Sequence, residues 1–115
     1  MDGLFFPDSE LESEILDPGK VSRKVRARGG KLMLVEVSFA AGGIGAEHEH
    51  HHDQATYCLA GEFRFTIGGE TRTLRAGDSV FIPGGARHGT VCVSEGRLLD
   101  AFSPQREDFI KEGNT

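Results

Sequence analysis

Cysteine, basic runs and long apolar stretches are scarce in this chain, and each scarcity removes a class of protein. Two cysteines, Cys58 and Cys92, are too few for a disulfide framework and read as small buried hydrophobes. No basic run offsets the formal net charge of −5, which argues against a nucleic-acid partner. No apolar run approaches the length of a membrane span, and the N-terminus lacks the basic and apolar regions of a secretion signal. A cytoplasmic protein without a membrane partner is the expectation. The 115 residues suffice for one domain with one core and are too few for two.

Glycine and histidine are what the chain has in quantity. Many of its 16 glycines separate short alternating segments, the spacing of an all-β barrel or sandwich. Residues 1–19 read as an arm ahead of a barrel domain at 20–115. In the arm, Ser9-Glu10-Leu11-Glu12 has the capping-box pattern and predicts a short helix over 9–16. Strands are expected over 20–28 and 31–39, with Met33, Val35, Val37 and Phe39 on one face, joined by a hairpin at Gly29-Gly30. Further strands are expected over 55–60, 62–67, 70–75 and 79–82, then from His88 until Gly96 breaks it, and over 98–102. Tyr57 reads as pocket lining or core. Gln105 to Lys111 fits a terminal helical turn. Eight to ten short strands without a long helix fit a double-sheet jelly roll.

Four of the five histidines fall within His48-Glu49-His50-His51-His52-Asp53-Gln54. Read as a strand, this stretch sends His48, His50, His52 and Gln54 to one face. Imidazole is the commonest protein ligand for transition metals, and two histidines at i, i+2 can close on one ion. The fold is expected to bring the distant His88 to the same face. His51 reads as solvated and His52 as a residue of the pocket rim.

The spacing then resembles a known family. Gly42, five residues, His48-Glu49-His50, three residues, Gln54, six residues and Gly61 resemble the first cupin motif. Gly77, five residues, Pro83, Gly85 and His88 resemble the second. Gln54 stands where that motif usually has glutamate, and Cys92 where the second usually has asparagine. The resemblance implies a cupin jelly-roll barrel and a single divalent transition metal ion (zinc, nickel, manganese or iron) held by His48, His50, Gln54 and His88. With three neutral imidazoles and a neutral amide, the ion keeps its full charge as a Lewis acid.

The blocks His50 to Tyr57, Gly77 to Pro83 and Leu99 to Phe109 further resemble the pectin-degradation cupins of the KdgF family. That resemblance implies an isomerase that converts 4,5-unsaturated monouronates, left by pectate and alginate lyases, to linear 4-deoxy-5-keto uronates. It implies Asp100, Phe102 and Arg106 as the residues that handle a small anionic sugar. Asp100 and Phe102 alternate on one strand face, and a guanidinium fork suits a uronate carboxylate. Two other functions fit such a barrel: a metal-dependent dioxygenase, which Gln54 disfavours, and a non-catalytic sugar-acid-binding module. A homodimer is expected, closed two-fold pairs being the commonest oligomers.

Overall fold

The computed structural model describes residues 3–110. Eight strands follow one another: β1 (Glu14–Asp17), β2 (Val21–Gly29), β3 (Leu32–Phe39), β4 (Ile44–His48), β5 (Asp53–Ile67), β6 (Glu70–Arg75), β7 (Ser79–Ile82) and β8 (His88–Ser103). Every pairing is antiparallel. Two strands are much longer than expected, because neither Gly61 nor Gly96 ends its strand. β5 and β8 instead pair along nearly their whole length, from Asp53 opposite Ser103 to Ile67 opposite His88.

That long ribbon belongs to two sheets. Its one half, residues 53–58 and 97–103, carries β7 on the β5 side and β3, β2 and β1 on the β8 side. Its other half, residues 62–67 and 88–94, carries β6 and β4. The register slips between Cys58 and Phe63. Across the slip, the buried side chains of β5 change from even positions (Gln54, Thr56, Cys58) to odd ones (Phe63, Phe65). Successive irregularities in the pairing, between Cys58 and Ala60, Ala60 and Glu62, and Glu62 and Phe63, do this, because strand side chains alternate with period two. The result is a double-sheet jelly roll.

The crossing point needs glycine. Gly61 has φ +87°, and a Cβ there would lie 2.5 Å from the Glu95 carbonyl oxygen. Two backbones approach this closely only without side chains between them. The core fills one half of the barrel with Val21, Phe39, Cys58, Phe63, Phe65, Leu74, Ile82, Cys92 and Leu98. Phe39 and Phe63 meet edge to face at 5.1 Å. A smaller cluster, Met33, Val35 and Phe102, lies nearer the polar half. Both cysteines are buried and free.

Three local expectations change. The helix over 9–16 is absent: a 3-10 turn at Asp8–Glu10 leads to β1, which pairs with β2. A two-turn helix is marginal alone, whereas an edge strand gains ladder hydrogen bonds and the Glu14–Arg23 ion pair at 3.0 Å. The terminal turn is 3-10 at Glu107–Phe109, and Lys111 lies outside the described residues. Tyr57 is neither pocket lining nor core; it is 45% exposed on the outer sheet face. Among the described residues, no helix is long and apolar enough to cross a membrane.

The crossing gives a stability test. Gly61→Ala should lose at least about 1 kcal/mol more than Gly77→Ala, read by urea unfolding. Both glycines have positive φ, and a non-glycine residue there costs roughly 1–2 kcal/mol. Only Gly61 adds a clash, since nothing lies within 4 Å of a Cβ at Gly77. Equal losses would show that the two strands do not pass this closely.

Candidate metal centre and adjoining pocket

The histidine stretch is not a strand. β4 ends at His48, residues 49–52 form a bend, and β5 starts at Asp53. His48 and Gln54 therefore sit on different strands, and simple alternation does not relate them. Glycine again permits the geometry: a Cβ on Gly84 would collide with the His51 carbonyl. The Gly84 N–H donates to Asp53 Oδ1 at 2.9 Å and the Gly85 N–H to the His50 carbonyl at 2.7 Å. The Pro83-Gly84-Gly85 loop thus fastens the bend to the end of β7.

His88 opens β8 directly opposite His48. Ring centroids are 4.5 Å apart for His48 and His88, 4.9 Å for His50 and His88, and 5.3 Å for His48 and His50. One nitrogen from each ring lies within 4.8 Å of the others. Two rings are locked by backbone. Nδ1 of His48 bonds the Ala46 carbonyl at 2.7 Å, and Nδ1 of His88 bonds that of Ala86 at 2.9 Å. A proton held there leaves each Nε2 as a lone pair. Nε2 of His88 and Nδ1 of His50 are buried without a partner. Buried unpartnered nitrogens are costly unless something satisfies them, and a cation would. These three histidines could hold a metal ion.

Electrostatics favours the neutral, ligating form. Burial, then the positive charges of Arg106, His88 and His48, push His50 down to about 4. Burial also lowers His88. Gln54 adjoins the cluster, its Oε1 3.2 Å from Nε2 of His50.

A buried polar chain leads away from the cluster. The Gln54 amide donates to Thr56 Oγ1 at 2.8 Å, and Thr56 donates to Asp100 Oδ1 at 2.6 Å. Neighbouring strands place these residues: Thr56 faces Asp100 across the ladder, and Gln54 faces Phe102. Asp100 is only 8% exposed, and desolvation raises its carboxyl to about 6 despite the hydrogen bond from Thr56. The Phe102 ring stands edge-on to His50 at 5.8 Å.

Arg106 comes from the C-terminal segment. It is buried rather than a surface charge. It makes a two-pronged pair with Asp108, Nε to Oδ1 at 3.0 Å and Nη2 to Oδ2 at 2.9 Å. Its guanidinium carbon lies 4.2 Å from the Phe109 ring centre and 5.2 Å from that of Phe102. His51 is exposed, whereas His52 is buried, at 3% exposure, beneath the C-terminal segment instead of at a rim. Thr56 and Phe109 have no sequence signal of their own. Thr56 becomes visible only once β5 is paired with β8.

The comparisons agree with this geometry. The family model described as "Cupin domain" matches residues 35–102. The chain is 43% identical to the pectin degradation protein KdgF of Dickeya dadantii, over 92% of this chain and 97% of that one. Among solved structures, an RmlC-like cupin from Shewanella frigidimarina superposes with a TM-score of 0.89 at 38% identity, covering 95% of this chain and 97% of the other. KdgF from a Halomonas species does so with a TM-score of 0.87 at 36% identity, covering 95% of this chain and all (100%) of that one. With its two motifs in place and its barrel shared with these relatives, the chain belongs to the cupin family and, within it, to the KdgF group.

Proposed function

We propose that the protein is a metal-dependent isomerase. It opens the ring of a 4,5-unsaturated monouronate, the product of a pectate or alginate lyase, and yields the linear 4-deoxy-5-keto uronate. One observation carries the reading: a buried carboxyl, Asp100, two hydrogen bonds from the amide that meets the histidine cluster. The likeness to a protein named for pectin degradation supports the substrate class.

His48, His50, His88 and Gln54 would hold the ion. When bound, it supplies Lewis acidity that stabilises negative charge developing on a substrate oxygen. Zinc, nickel, manganese and iron all accept such donors. The remaining chemistry belongs to the chain. Ring opening takes the proton of the anomeric hydroxyl as the ring C–O bond breaks, leaving an aldehyde and an enol. Ketonisation puts a proton on the enol carbon while the enol oxygen loses one. Protons move, but the substrate and product are isomers, so no oxidant or reductant is needed.

Asp100 is suited to carry that proton, because a carboxyl raised to about 6 exchanges readily near neutral pH. Thr56 fixes its orientation through the 2.6 Å bond to Oδ1. Arg106 uses part of its five-donor fork on Asp108 and keeps donors for a uronate carboxylate. Phe102 gives the sugar ring an apolar wall. Neutral His50 and His88 add no charge that would compete with the ion.

Asp100→Asn separates catalysis from architecture. Turnover of the unsaturated monouronate, followed as loss of enol absorbance, should fall at least about 100-fold with metal content retained. Stability should rise at pH 8. The folded carboxyl, raised from 3.8 to about 6, binds a proton that the unfolded chain has released, so ionisation destabilises the wild type as pH rises through that window. Removing the charge should add up to about 3 kcal/mol to the metal-free protein at pH 8 and nothing at pH 3.5. Full turnover in this variant would remove Asp100 from the reaction. A wild type that, with metal bound, matches the uncatalysed rate would leave a sugar-acid-binding role instead.

A further inference from the structure

A second group of metal-ligating side chains lies beside the first and shares none of its residues. His51 and His52 occupy the bend between β4 and β5, with ring centroids 3.9 Å apart and planes tilted by 31°. Glu107 reaches them from the C-terminal segment. One donor atom from each of His51, His52 and Glu107 lies within 4.8 Å of the others.

His52 gives the independent sign of a ligand. Its Nε2 lies 3.1 Å from the Gln105 carbonyl oxygen and 3.6 Å from Glu107 Oε1. Its Nδ1 is buried and has no partner. The residue is 3% exposed, so water does not readily make up the loss. This is the arrangement of His88: one ring nitrogen on a backbone carbonyl, the other buried and unsatisfied. Neither neutral tautomer resolves it. A proton on Nε2 leaves a buried lone pair at Nδ1, and a proton on Nδ1 leaves an N–H without an acceptor while Nε2 faces two oxygens.

With Nε2 of His52 occupied by the Gln105 carbonyl, Nδ1 is the nitrogen left for a ligand. Two imidazoles and one carboxylate form a donor set that first-row divalent ions accept.

We propose that His51, His52 and Glu107 form a second divalent-cation site, weaker than the barrel site because two of its three side chains are exposed. The ion ties the histidine bend to the segment that carries Arg106. It is therefore a clasp on that segment, and the inference stands whether or not the isomerase reading holds.

Zinc binding to the full-length protein tests it, counted by equilibrium dialysis with elemental analysis. The wild type should saturate at two equivalents. His51→Ala and Glu107→Gln should each bind one; both side chains are exposed, so the fold should tolerate the changes. His48→Ala should also bind one, having lost the barrel ion and kept this one. A wild type that saturates at one equivalent, with that equivalent lost in His48→Ala, would overturn the inference. So would a second equivalent that persists in either His51→Ala or Glu107→Gln.

Discussion

The barrel's polar half depends on one backbone pairing, His48 against His88. It joins the end of β4 to the start of β8, and the Ala46 and Ala86 carbonyls then hold the two rings. Each ring presents its second nitrogen because its first is occupied by a carbonyl, that of Ala46 in β4 or that of Ala86 just ahead of β8. His50 completes the group from the bend, which the glycine loop after β7 fastens in place. Folding gathers the three distant imidazoles and meets the entropy of bringing them together.

Gln54 links this cluster to the pocket. A carboxamide can accept on one side and donate on the other. Its oxygen faces His50 while its nitrogen donates to Thr56, which frees the Thr56 hydroxyl proton for Asp100. An ionised glutamate here could not donate to Thr56. It would also put a negative charge beside His50, opposing the burial that keeps this ring neutral. The amide therefore sets the direction of the whole hydrogen-bond chain and leaves Asp100 as its only acid.

Much of this was legible in the chain. The motif spacings name all three clustered histidines and Gln54, and alternation pairs Asp100 with Phe102 on one face. Period-two alternation also marked the inward face of β3, through Met33, Val35 and Phe39. What stayed hidden depends on contacts distant in sequence. Gly61 and Gly96 read as breaks, yet both strands run through them, because the close approach that excludes a side chain is visible only when both backbones are present. The capping box at Ser9 was a correct local pattern that lost to sheet pairing with β2. The burial of Arg106 comes from Phe102 and Phe109 beneath it and from Asp108 beside it, contacts that alternation along the chain does not show.

The central claim is that three imidazoles and one carboxamide from this barrel share a single divalent ion. A crystal structure of the metal-loaded protein, with the ion placed by its anomalous scattering, tests it directly. The account predicts an ion bound by Nε2 of His48 and of His88, by a ring nitrogen of His50 and by the Gln54 oxygen, with the Ala46 and Ala86 carbonyls still holding the two Nδ1 atoms. An ion that bypasses His88, or a barrel that binds none at saturating metal, would contradict it.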